Sequence, residues 1–233
     1  MQHLPFYVSL IFILATIYTV FMFWKAARCS KKVIFIIGGW LLLQGMAGYM
    51  LFYTNTNAVP PRFLFLIAPP VLTVTILFFT KGGRRFIDKL ETSSLILLNA
   101  VRIPVEIGLF FLFVNKAIPQ VMTFEGRNLD VLSGISAVFI WFLYRKNLST
   151  SVLFGWNIIC LALLANIVTT AILAAPTPFQ QIAFDQPNIG VLYFPMVWLP
   201  CCIVPLVFFS HLVMLRRIVL KRREIKQMQL ASL

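Results

Sequence analysis

The sequence predicts an all-α integral membrane protein, a bundle of seven transmembrane helices with the amino terminus outside and the carboxyl terminus in the cytoplasm. Three observations predict it. Apolar residues make up 60% of the 233, and the mean hydropathy is +0.90, beyond an ordinary soluble domain. Seven apolar stretches punctuate the chain, all but the fifth at a length suited to spanning helices. Sixteen of the twenty basic residues fall in every second gap between those stretches: Lys25 to Lys32, Lys81 to Lys89, Arg145 and Lys146, and Arg216 to Lys226. The opposite gaps hold only Arg62, Lys116 and Arg127, and Arg102 lies inside a stretch. By the positive-inside rule the basic gaps are cytoplasmic.

The first segment, residues 5–24, has no charge before it and basic residues after it, which reads as a signal anchor rather than a cleaved signal peptide. The second, 33–54, carries Gly38, Gly39, Gly45 and Gly48, expected to pack closely on neighbouring helices. An outer loop at 55–62 ends in Pro60-Pro61, and the third segment, 63–80, contains Pro69-Pro70 and is expected to kink. Residues 81–91 read as an inner loop. The fourth segment, 93–114, holds Asn99, Arg102, Pro104 and Glu106. The fifth has an apolar run of only 14 residues, 131–144, so the helix is expected to begin near Pro119 and carry the polar stretch 123–130 into the membrane. The sixth spans 151–174. Residues 175–190 read as a short amphipathic outer helix, with Thr177 as N-cap, Pro178 in its first turn and Pro187 as its stop. The seventh, 191–215, has Pro195, Pro200 and Pro205 and is expected to be irregular, with 216–229 continuing as a basic helix on the inner headgroups. Residues 1–215 thus form one domain and 216–233 a basic tail.

The net charge of +13 sits at one face, so anionic lipid headgroups are the expected partner, and no aromatic-basic patch suits nucleic acid. Nothing in the pattern excludes a homo-oligomer. The four cysteines, Cys29, Cys160, Cys201 and Cys202, form no disulfide framework. Alternating short strands are missing, which excludes a membrane β-barrel.

Asn99, Arg102 and Glu106 are spaced by three and four, so one helical face carries all three. A charge at that depth costs at least ~2.5 kcal/mol without an internal partner. One reading is an intrahelical Arg102–Glu106 pair that holds the bundle together. The other is a polar site or ion path, favoured because ionisable residues inside a membrane are functional by default. Glu125, Arg127, Asn128 and Asp130 join the candidate site if the segment before the fifth helix lies at depth, with Gly126 admitting a close neighbour. Asn157 lies at similar depth on the sixth helix. Nine residues separate it from Asn166, so the two face opposite sides. His211 and Asp185 are secondary candidates, His211 through a proton-linked role with Arg102 and Asn157 and Asp185 through a lid over an outer vestibule. His3 and His211 lie at opposite faces, which excludes a bis-histidine haem, and no metal site or cofactor is predicted. The seventh segment has no lysine for a retinal Schiff base, and no nucleophile elbow, zinc or phosphate-loop motif occurs.

The stretches Arg102-Ile-Pro-Val-Glu106, Thr123-Phe-Glu-Gly-Arg-Asn-Leu-Asp130, Phe179-Gln-Gln-Ile-Ala-Phe-Asp-Gln-Pro-Asn188 and Tyr193-Phe-Pro-Met-Val-Trp-Leu-Pro200 resemble an uncharacterised family of small bacterial multi-pass proteins of the Bacteroidota type, over residues 99–217. The resemblance implies a bacterial inner-membrane setting and no activity. The leading expectation is therefore a binding protein or permeation path for a small solute, ion or proton. A seven-helix ligand sensor is the alternative, and a lipid-active enzyme the weaker one, since nucleophile and metal are both wanting.

Overall fold

The computed structural model describes residues 4–56, 58 and 61–231. His3 and Pro60 lie outside the described residues. Those described form helices α1 (Phe6–Ala26), α2 (Lys31–Tyr49), α3 (Leu64–Phe79), α4 (Lys81–Lys89), α5 (Thr92–Leu98), α6 (Arg102–Val114), α7 (Asp130–Arg145), α8 (Thr150–Leu173) and α9 (Val204–Ala231), with no strand among them. Five helical stretches are long and apolar enough to cross a membrane, and six are if the bent pair α3–α4 counts as one. The sixteen-residue α7 rises only about 24 Å, short of a hydrocarbon core of about 30 Å.

The continuous stretch Thr92–Val114 is the centre of the bundle: 61% of its apolar window is buried, against 17% for Lys31–Tyr49 at the periphery. A tight turn at Asn99–Val101 joins α5 to α6. Pro104 explains it, because proline has no N–H to give Ala100 and its ring crowds that carbonyl. α1 packs on α5 and α6, while α7 packs on α5, α6 and α8 and α9 covers α5 and α8. Gly108 meets Phe12 and Gly134 meets Ile103, at distances where a Cβ would collide. α2 is pinned at single points: Trp40 Nε1 donates to the Cys201 carbonyl (2.9 Å) and Trp198 Nε1 to the Leu41 carbonyl (3.0 Å). Gly45 and Gly48 pack against Phe194, Trp198 and Val197 as expected, but Gly38 and Gly39 face nothing within 4 Å.

Four further expectations are corrected. Residues 81–89 form a helix, not a loop, turned 93° from α3. Thr80 caps it by accepting from Gly83 N (3.1 Å), and Gly83 lets the chain reverse against Leu77, where a Cβ would lie 2.3 Å from the carbonyl oxygen. The fifth helix starts at Asp130, and residues 123–129 are a folded loop before it. Residues 175–189 are not helical: Thr177 Oγ1 accepts from Phe179 N (3.2 Å) in a local turn. The last helix begins not at 191 but at Leu199, with a π-helical turn over Leu199–Ile203. Pro205 cannot donate to the Cys201 carbonyl, which explains the wide turn. α9 then runs on through the basic residues, as expected.

Every basic segment but one is brought to the same end by direct contacts. Arg28 Nε donates to the Lys89 carbonyl (3.2 Å), and Glu91 N to the Ala26 carbonyl (2.8 Å). Arg216 pairs with Asp88 (3.3 Å), Arg217 donates to Thr92 Oγ1 (2.6 Å), and Arg222 to Ser151 Oγ (3.2 Å). The remaining segment, Arg145 and Lys146, lies just before Ser151 in the chain.

Candidate functional site

Arg102 is 3% exposed at the start of α6. The expected intrahelical partner is not the one it uses. Its Nη1 donates to Asp130 Oδ1 across the α6–α7 interface (2.6 Å) and to the Cys160 carbonyl of α8 (3.3 Å). Gly134 makes that reach short, because its α7 backbone touches Ile103 and the Arg102 Cβ. Arg102 Nη2 lies 3.1 Å from His211 Nε2, and His211 Nδ1 lies 2.7 Å from Asn157 Oδ1. Asn157 Nδ2 donates to the Leu153 carbonyl (2.7 Å), which leaves Oδ1 to accept from His211. Nδ1 of His211 therefore carries the proton, and the Nε2 lone pair accepts from Arg102. His211 sits fully buried beside Trp156, ring centroids 5.4 Å apart, and was undervalued in the sequence because its depth hid its partners.

Asn128, 1% exposed, makes the second half of the cluster. Its Nδ2 donates to Glu106 Oε1 (2.5 Å) and to the Met122 carbonyl (3.0 Å), while its Oδ1 accepts from Asp130 N (3.1 Å). The last bond closes an Asx turn just before α7 and so holds Asp130 where Arg102 meets it. The loop closes because Gly126 lies on the Gln120 carbonyl, where a Cβ would be 2.3 Å from the oxygen.

Not every candidate joins. Glu125 and Arg127 are exposed on the loop, as is Asp185 on its own, and none belongs to the cluster. Asn99 is buried but turns to α9, donating to Ser210 Oγ (3.1 Å) and to the Leu95 carbonyl (2.9 Å). Asn166 donates to the Arg127 carbonyl (3.1 Å), on the side away from Asn157 as its spacing requires. The asparagine at 188 was missed as a site residue: it is 1% exposed and donates to the Ala171 carbonyl (3.1 Å).

A cavity of about 320 Å³ adjoins the cluster, bounded by α3, α6, α8 and the irregular start of α9. Its walls are apolar except for Glu106, Asp130 and Asn188. Glu106 Oε2 and Asn188 Oδ1 are both buried without a hydrogen-bond partner. Among the described residues lining this cavity no buried donor is in the same position, although Arg102 Nε in the adjoining cluster also lacks a partner. The ionic inventory agrees. One guanidinium faces two carboxyl groups, and Asp130 is the one it binds. The Glu106 end therefore has capacity for one further positive charge or hydrogen-bond donor.

The class so defined is an all-helical protein whose long apolar helices enclose an ionic cluster beside a cavity. The family model described as "Domain of unknown function (DUF8737)" matches residues 59–219, and the chain belongs to that family, which is uncharacterised. The match takes in every residue of the cluster and omits α1 and α2. No curated protein and no solved structure matches the chain.

Proposed function

We propose that the protein is a seven-span bundle of a bacterial inner membrane, amino terminus outside, that binds and passes a small lipophilic cation at Glu106. The single observation that carries the ligand reading is the pair of orphaned acceptors, Glu106 Oε2 and Asn188 Oδ1, on one otherwise apolar cavity. An ammonium group on a short hydrocarbon body supplies the donors and the charge, and its body fills the apolar wall. A bare divalent cation fits worse: three oxygen-bearing side chains line the cavity, one of them engaged by Arg102, where calcium takes six to eight oxygens. The collection of basic segments at one end supports the proposed orientation. The loop folded over the outer end of α7 supports counting that short helix as a span.

Calorimetric titration of the detergent-purified protein with hexylammonium, hexanol and hexanoate tests the binding claim. One equivalent of hexylammonium is expected to bind, with at least tenfold loss in Glu106→Gln, and hexanoate not at all. Binding of hexanoate at equal strength, or hexylammonium binding unchanged in Glu106→Gln, overturns it. Passage is tested by uptake of butylguanidinium, which keeps both its charge and its N–H donors, into proteoliposomes, and uptake must fall in Glu106→Gln.

A further inference from the structure

A second opening lies on the far side of α9 from the ionic cluster. This groove, about 530 Å³, runs between α2 and α3 over the π-helical turn and the first turns of α9. α2 contributes Val33, Ile37 and Trp40, and α3 contributes Pro70, Thr73 and Leu77. Thr73 Oγ1 is tied to the Pro69 carbonyl (2.9 Å), so the length of the groove is apolar. Only one end is polar, where Ser30 and Lys32 line it. We propose that this groove holds one acyl chain of an anionic phospholipid whose phosphate sits on Lys32 and Ser30, a site that rests on the membrane reading above but not on the cation site.

Length, charge and construction fit that occupant. Lys32 to Trp40 is eight residues of helix, about 12 Å, close to the roughly 15 Å of hydrocarbon in one leaflet. The mouth lies at the basic end. Arg28, Lys31, Lys81, Arg84 and Arg85 are exposed on the segments that frame it. The nearby acids are engaged, Asp88 by Arg216 and Glu91 by Ser94 Oγ (2.5 Å). The gap is also built rather than incidental. α2 is held to the bundle by the indole bonds of Trp40 and Trp198, and Trp40 itself lines the groove.

Native mass spectrometry of the full chain with phosphatidylglycerol or phosphatidylcholine of matched chains is the test. One phosphatidylglycerol is expected to stay bound where phosphatidylcholine is lost. Lys32→Ala should weaken retention about fivefold, and Thr73→Trp, an exposed position whose indole fills the groove, should abolish it. Both variants should still bind hexylammonium as the wild type does. Equal retention of the two lipids overturns the proposal, as does phosphatidylglycerol binding unchanged in both variants. A two-chain mass that Thr73→Trp disperses also overturns it, because a second copy then covers the groove. Failure of the membrane reading itself looks different: the protein would leave membranes in alkaline carbonate and need no detergent.

Discussion

Asp130→Asn and Glu106→Gln each remove one carboxylate from the same buried cluster, yet opposite effects on stability are expected. Asp130 is the carboxylate that Arg102 binds at 2.6 Å, with the two side chains 7% and 3% exposed. Breaking a buried pair by removing one partner leaves an uncompensated charge and costs about 3–5 kcal/mol. For a chain of this size that is a fall in Tm on the order of 10 °C. Glu106→Gln leaves that pair intact. The new amide oxygen still accepts from Asn128 Nδ2, as Oε1 does now. Its NH₂ group faces no acceptor, a cost of about 1 kcal/mol. Against this stands the removal of a buried carboxyl group that no cation binds and whose ionisation burial opposes. In ligand-free protein the Tm of Glu106→Gln should therefore equal or exceed that of the wild type. Thermal unfolding in mild detergent, followed by tryptophan fluorescence, to which Trp156 beside His211 contributes, reads both variants. A Glu106→Gln protein destabilised as much as Asp130→Asn would refute the charge assignment, because Glu106 would then be the structural counter-ion.

His211→Phe keeps the ring volume but strips Arg102 and Asn157 of a partner each, and a loss of about 1–3 kcal/mol is expected in the same unfolding assay. Gly126→Ala drives a Cβ into the Gln120 backbone and should cost about 1–3 kcal/mol while loosening hexylammonium binding through Asn128. Gly155→Ala, at a helical position with nothing within 4 Å, should instead gain about 0.5–1 kcal/mol and leave binding alone, both read by unfolding and calorimetry. Arg217→Ala removes the guanidinium that ties the Ile87 and Asp88 carbonyls to Thr92, and should speed proteolysis around α4 without altering cation affinity.

The apolar stretches and the gathering of basic gaps at one end were legible because hydropathy and charge are properties of the chain itself. So was membership of the cluster for Arg102, Glu106, Asn128, Asp130 and Asn157, since a polar group among apolar residues is conspicuous. Pairing was not legible. Helical spacing offers Glu106 to Arg102, but the close approach of α7 at Gly134 offers Asp130, 28 residues away, at better geometry. The signals for a helix over 175–190 were genuine, yet side-chain amides compete for backbone groups there. Gln186 Nε2 donates to the Ile118 carbonyl (2.5 Å), and Asn188 Nδ2 to that of Ala171, which fastens the segment as a loop over the ends of α6 and α8. Gly82-Gly83 suggested a loop at 81–91, whereas Gly83 lies in the first turn of α4 and permits only the sharp bend against Leu77.

Native mass spectrometry of the wild type and Glu106→Gln, released from mild detergent with and without hexylammonium, bears most directly on the cavity as a cation site. The wild type is expected to carry one organic amine from the cell or to take up one hexylammonium, and Glu106→Gln to carry neither. A wild-type protein that stays bare under both conditions, or a variant that binds as the wild type does, would contradict the assignment.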